Sequence, residues 1–191
     1  MTISCTTRSP SVAVCLVSLP ERHRLLAEAT ESVYNQTLQP DHLLIGVDYA
    51  GVGEVANMNR LIDAAGPVDF LAFLHDDDIW LPNHLEAAMQ HADTADVIVA
   101  DFDLVGRPQH TIERKHGNFA DLAFTNWFWP SAVVARRSTW GHWTEPDRPP
   151  PHDWVDWSNF RRLLTAGARF VHTNTLTCQY RFFGDNGSWS A

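Results

Sequence analysis

An apolar stretch that stops abruptly in three consecutive carboxylates leaves this chain few ways to fold. The run is FLHDDDIWLP, from Phe73 to Pro82, and an aromatic and a proline follow the acids almost at once. Asp76, Asp77 and Asp78 cannot all point into a core, because ionised carboxylates are rarely buried without a partner. Two environments satisfy them. Oxygen ligands in one tight cluster suit a hard divalent ion such as Mg²⁺ or Mn²⁺, which binds one or two carboxylates and completes its shell with substrate phosphates and water. Alternatively, the three acids form a solvated turn that caps a helix starting near Pro82, since negative charge is favourable at helix N-termini.

The elements around this run alternate. Val12 to Ser18 (VAVCLVS), His42 to Asp48 (HLLIGVD), Phe70 to Leu74 and Asp96 to Asp101 (DVIVAD) are short apolar runs rich in β-branched residues, the pattern of buried parallel strands. Between them, Glu21 to Asn35, Glu54 to Ala65 and Asn83 to Ala92 carry apolar residues at helical spacing. A βαβαβαβ order predicts an α/β chain with a mostly parallel, Rossmann-like central sheet flanked by helices. Ligands of such sheets gather at the carboxyl ends of the strands, which is where Asp48 and Asp76 to Asp78 fall. They are therefore expected to share one crevice.

The second half is less regular. Phe119 to Phe128 is aromatic, Ser131 to Ala135 reads as a strand followed by Arg136 and Arg137, and Pro146 to Pro151 (PDRPPP) reads as a stiff loop. Trp154 to Ala166 reads as a helix capped by Gly167, with Arg169 to Asn174 and Thr175 to Arg181 as closing strands. At 191 residues the chain is expected to form a single domain, with residues 1–105 as a nucleotide-binding half and 106–191 as a smaller acceptor-side half. The net charge of -9, with 23 acidic against 14 basic residues, offers no general attraction to nucleic acid or anionic membrane. No apolar run approaches the roughly 20 residues that span a bilayer, and MTISCTTRSPS lacks a signal peptide's apolar core, so the expected location is cytoplasmic. Cys5, Cys15 and Cys178 form neither a disulfide framework nor a zinc knuckle, and Cys15 and Cys178 are expected in buried strands.

In this order the segments resemble family 2 glycosyltransferases, whose fold is the A-type nucleotide-sugar fold. VAVCLVSLPERHRLLAEATESVYNQTLQ is similar to that family's opening strand and helix, and VDYAGVGEVANMN to its strand-end aspartate and the Asn-containing helix start that follows. FLHDDDIWLP resembles its metal-binding acidic motif, HDW at His152 to Trp154 its Glu-Asp-Trp acceptor motif, and GARFVHTNTLTCQYRFF its closing strands. The resemblance implies an enzyme that transfers a sugar from a nucleoside-diphosphate sugar, UDP-sugars foremost, to an acceptor hydroxyl with inversion, assisted by Mn²⁺ or Mg²⁺. It implies Asp77 as the direct metal ligand, with Asp76 and Asp78 positioning the ribose or completing the metal site. It further implies Asp48, Leu19, Pro20 and Asn59 around the nucleotide, and Asp153 as the base that deprotonates the acceptor. The chemistry asks for such a set: a diphosphate leaving group needs its developing charge neutralised, and an acceptor hydroxyl needs a carboxylate within reach.

The chain also departs from that family. His75 stands where an aspartate commonly begins the acidic run, His152 where a glutamate commonly precedes the base, and Phe183 near the place of a late metal-binding histidine. These departures keep a second reading open, that of a non-catalytic nucleotide-sugar or glycan-binding module on the same fold. Gly51 to Ala56 (GVGEVA) has the spacing of a dinucleotide loop but follows the second strand instead of the first, which argues against a nicotinamide oxidoreductase. A metal-dependent His-Asp phosphohydrolase is disfavoured by the strand-rich first half. Trp127, Trp129, Trp154 and Trp157 are candidates for stacking on a sugar, or simply core. Arg181, Arg136 and Arg137 are candidates for meeting a diphosphate, or simply solvated.

Overall fold

The computed structural model describes residues 8–106, 118–147 and 153–182. In chain order its strands and helices are β1 (Val12–Ser18), α1 (His23–Tyr34), β2 (His42–Val47), α2 (Glu54–Ala64), β3 (Phe70–His75), β4 (Asp78–Trp80), α3 (His84–Met89), β5 (Val97–Val105), β6 (Val133–Arg136), α4 (Arg137–Trp140), α5 (Val155–Thr165) and β7 (Phe170–Arg181). Short 3₁₀ turns at Pro20–Arg22, Phe119–Ala123 and Pro130–Ala132 join them.

The expected mostly parallel Rossmann-like sheet is not what forms. One seven-stranded sheet runs β2-β1-β3-β6-β5-β7-β4. β1 lies parallel to β2 and to β3, and β5 parallel to β7, but β6 is antiparallel to both of its neighbours and β4 is antiparallel to β7. Half of the pairings are thus antiparallel, and the sheet curls instead of lying flat. Two features underlie the difference. Val133 to Ala135, fully apolar and buried, inserts between β3 and β5, so the fourth expected strand never pairs with the third. Register shifts around Asp101 then bulge the β5–β7 ladder, and bulges increase local twist. A strand buried on both faces is apolar throughout whichever way its neighbour runs, so the residue pattern does not report direction.

The two expected closing strands are one, β7, with Asn174 at φ +55° in its bulged part. Asn is among the few non-glycine residues that visit the left-handed region readily. Cys15 and Cys178 are buried in β1 and β7 as expected, and burial pushes the Cys15 thiol up to about 12. No helix among the described residues is long and apolar enough to cross a membrane.

The core on one side of the sheet is aromatic. Trp140 is fully buried, with its ring 4.6 Å from Phe73, 4.8 Å from Trp143 and 6.0 Å from Phe160. It joins β3, α4 and α5. Trp140→Ala is expected to cost about 3–5 kcal/mol of unfolding free energy, the range for deleting a large buried aromatic. Urea denaturation monitored by circular dichroism checks this.

His84, the first residue of α3, stacks on Trp80 at 4.3 Å and has Nδ1 2.9 Å from the Thr177 hydroxyl. Its Nε2 is buried without a hydrogen-bond partner, and burial pushes the imidazole down to about 3. The folded protein therefore holds this histidine neutral. An unfolded chain takes up the proton below about pH 6.5, so stability is present above that pH and is lost as pH falls toward the folded value. This one group should remove about 2 kcal/mol between pH 7 and pH 5. His84→Gln should flatten that part of the pH slope, read by denaturation of both proteins at the two pH values.

Candidate active site

The register of β1, β2 and β3 sets Ser18 beside Val47 and Val17 beside His75, so all three strands end at the same side of the sheet. β6 runs the other way, which brings its leading turn and Ser131 to the end of β3: the Ser131 hydroxyl accepts the His75 N–H at 3.1 Å. β4 pairs Asp78 with Tyr180, which delivers Arg181 to the same place. The strand-end acids thus meet residues from both halves of the chain.

The three aspartates are not equivalent. Asp76 is buried, accepts the Ser18 hydroxyl at 2.6 Å, and lies 3.1 Å from the Arg22 guanidinium, which also stands 3.3 Å from Asp77. Its oxygens are committed to β1 and the turn that follows. Asp77 is less enclosed; burial raises its pKa and Asp76 adds to the rise, while His75 and Arg22 oppose it. Asp78 is buried and accepts the Arg181 N–H at 3.3 Å. Burial, then the neighbouring Asp77, pushes it up to about 7. Arg181 braces the turn by donating to the carbonyls of Asp77 at 2.7 Å and Asp76 at 3.2 Å, and it pairs with Glu28.

His75 completes the group. One ligand atom each from His75, Asp77 and Asp78 lie within 4.8 Å of one another, a spacing that can coordinate a divalent cation. His75 Nε2 is buried and pairs with Glu54 Oε1 at 2.9 Å. Burial alone would lower the imidazole, but Glu54 first, then Asp77 and Asp78, outweigh it and raise it to about 10. Three carboxylates, Glu54, Asp77 and Asp78, gathered around one imidazole leave net negative charge there, which a divalent cation relieves, so these residues fit such an ion.

The nucleotide-side candidates line the same end. Leu19 and Pro20 follow β1 directly, with the Leu19 carbonyl accepting the Arg22 N–H at 3.0 Å. Asp48 accepts the N–H groups of Val52 at 2.9 Å and Gly53 at 2.8 Å, and these bonds hold its carboxyl below the usual range. It shapes a loop in which Tyr49 is 81% exposed. Asn59 is engaged elsewhere: its amide both donates to and accepts from the Trp143 backbone, at 2.9 Å and 2.8 Å, tying α2 to the segment after α4.

Of the acceptor-side candidates, Asp153 stands two residues before α5, is buried, and lies 2.5 Å from Arg161. Asp156, in the first turn of α5, accepts the Asn126 amide at 2.9 Å and the Trp157 N–H at 2.7 Å. Burial pushes Asp156 up to about 6, and it senses the charges of both Glu54 and His75. Of the four tryptophan candidates only Trp154 is exposed; Trp127 is buried, Trp129 stacks on Tyr180 at 4.7 Å, and the Trp157 indole donates to the Leu122 carbonyl at 2.6 Å. Arg136 and Arg137 lie away from the crevice, where they donate to the carbonyls of Ala92, Ala95, Gly66 and Ile62. His152 and Phe183 lie outside the described residues.

Several contributors were not singled out in the sequence. Ser18, Arg22, Glu54, Ser131 and Asn126 are polar residues at turns and element ends, with nothing in their local pattern to separate them from solvated loop residues. Glu54 had one signal, as the first helical residue after a glycine-flanked turn at a strand end.

The architecture defines the class of fold, a curled α/β sheet of mixed strand direction with its acidic residues at the strand ends. No family model matches the chain and no curated protein matches it. Among solved structures it is similar to residues 1–349 of S. aureus TarS in complex with UDP-GlcNAc, with a TM-score of 0.72 and 13% identity over 95% of this chain and 61% of that one. Residues 1–349 of S. aureus TarS without a named ligand give a TM-score of 0.66 at 13% identity, covering 90% of this chain and 60% of that one. The UDP complex gives 0.65 at 11% identity with the same coverage. The chain spans about 60% of the length of these structures, and what it shares with them is the fold.

Proposed function

We propose that this chain is a divalent-metal-dependent glycosyltransferase that moves a sugar from a nucleoside-diphosphate sugar, a UDP-sugar foremost, to an acceptor hydroxyl with inversion. The observation that carries the reading is the convergence of His75, Asp77 and Asp78 beside Asp48 at the strand ends. Support comes from the fold shared with a protein that binds UDP-GlcNAc.

In this reading Leu19, Pro20 and the loop shaped by Asp48 receive the nucleoside, and Asn59 holds α2 in place behind them. Asp77 and Asp78 hold Mn²⁺ or Mg²⁺, and Asp76, locked by Ser18 and Arg22, fixes the turn that presents them. The ion supplies charge neutralisation to the departing diphosphate. Arg22, beside Asp76 and Asp77, adds positive charge at the same mouth.

Asp153 is the base that removes the acceptor proton, with Trp154 offering an exposed ring to the acceptor. For that role the Arg161 guanidinium must yield when the acceptor arrives, because it occupies the Asp153 oxygen that would take the acceptor proton. Asp156 is the other carboxylate of the same helix start. Nucleophile and leaving group lie on opposite faces of the sugar when base and diphosphate flank it, which inverts the anomeric centre.

A thermal-shift panel of nucleotide sugars with and without Mn²⁺ tests the proposal. A ligand at about 100 times its dissociation constant stabilises by roughly 2.7 kcal/mol, so a metal-dependent rise in melting temperature with at least one nucleotide sugar is expected. No shift with any of them would overturn the reading. Donor binding without release of nucleoside diphosphate in the presence of acceptors would instead leave a binding module.

A further inference from the structure

We infer that the cluster is a mixed nitrogen–oxygen site, His75 imidazole with the Asp77 and Asp78 carboxylates, that selects a first-row transition ion over Mg²⁺. The inference rests on the proposed donor site, because the ion meant is the one that site uses, but it concerns which ion and which atoms.

The three consecutive aspartates differ in how far their oxygens are already engaged. Asp76 has both oxygens engaged, one by the Ser18 hydroxyl at 2.6 Å and the other by Arg22 at 3.1 Å. The group whose ligand atoms converge within 4.8 Å omits Asp76 and includes His75. His75 Nε2 pairs with Glu54 Oε1 at 2.9 Å, and a carboxylate on one ring nitrogen orients the imidazole and leaves its other nitrogen for a metal. The His75 N–H to Ser131 bond at 3.1 Å fixes the backbone that carries the ring.

Two carboxylates and an imidazole are not the donor set Mg²⁺ prefers. Mg²⁺ is small and hard, demands near-ideal octahedral oxygen coordination and keeps several waters. Imidazole nitrogen favours first-row transition ions, with affinity rising from Mn²⁺ through Co²⁺. An aspartate at position 75 would make the site all-oxygen; the histidine shifts its preference.

The test uses metal alone, without nucleotide. Mn²⁺ is added to the wild-type chain and pulsed electron paramagnetic resonance is recorded for nitrogen coupling; Co²⁺ binding is followed by visible absorption while Mg²⁺ is titrated in competition. Expected are a ¹⁴N coupling from one imidazole and Co²⁺ that resists displacement by excess Mg²⁺. In His75→Asp the coupling should vanish and the Co²⁺-over-Mg²⁺ preference should fall by about tenfold or more. Absence of nitrogen coupling in wild-type protein, or an unchanged preference in a folded variant, overturns the inference. If His75→Asp does not fold, the wild-type spectrum alone decides. The two proposals fail separately. Nitrogen-coupled metal without nucleotide affinity would fell the donor reading only, and nucleotide binding supported equally by Mg²⁺ and Mn²⁺ without coupling would fell this one only.

Discussion

Asp77→Asn is expected to abolish metal-dependent nucleotide binding while leaving the fold intact. The substitution removes one charge with little change in shape, at a position whose carboxylate is already disfavoured by burial and by Asp76. Neutralising it relieves that crowding, so the melting temperature should hold or rise. What is lost is a ligand: calorimetry should show nucleoside-diphosphate affinity in Mn²⁺ weakened by about a hundredfold or more. Arg22 keeps its partner at Asp76, so the turn that carries the acids stays anchored. Unchanged affinity in this variant would remove Asp77 from the metal site.

Asp153→Asn should keep donor affinity and lose transfer, since a base acts on the acceptor in the transition state and not on the bound donor. A loss of about 10² to 10⁴ in turnover is the usual contribution of a general base. The parallel variant Asp156→Asn discriminates between the two carboxylates at the start of α5. Asp156 is raised to about 6 and senses Glu54 and His75, whereas Asp153 is held by Arg161 at 2.5 Å. With Asp153 as base, Asp156→Asn changes turnover little. A full loss in Asp156→Asn with turnover retained in Asp153→Asn would move the role to Asp156.

The first half of the fold was legible because its signals are local. Val12 to Ser18 forms a strand with the expected bounds, and the helix expected from Glu54 ends within a residue of its observed end. Continuous apolar runs bounded by turns and helical spacing of Met58, Leu61 and Ile62 carry that information within a dozen residues. Sheet order is different in kind. That Val133 to Arg136 slots between β3 and β5 depends on pairings across more than thirty residues, and a doubly buried strand has the same pattern in either direction. Asp78 to Trp80 read as the end of an acidic turn because a three-residue edge strand has no periodicity to detect.

The site divides the same way. Consecutive aspartates after an apolar strand announce themselves, since ionised carboxylates at a strand end demand a partner. The resemblance singled out Asp77 among them, but nothing local shows that both oxygens of Asp76 are engaged. That depends on Ser18 and Arg22 closing over Asp76, and on Ser131 reaching the end of β3 from 56 residues away. His75 stood out as a departure from the family's acidic run, but its ion pair with Glu54 depends on the start of α2 reaching the end of β3, which no local pattern reports.

The central claim is that these strand ends hold a nucleoside diphosphate through a divalent ion. Its most direct test is a calorimetric titration of UDP into the wild-type chain, with Mn²⁺ and again with the metal removed by chelator. Saturable binding in Mn²⁺ that disappears on chelation is the predicted result. Binding of equal strength with and without metal, or no binding of UDP in Mn²⁺ at all, would contradict it.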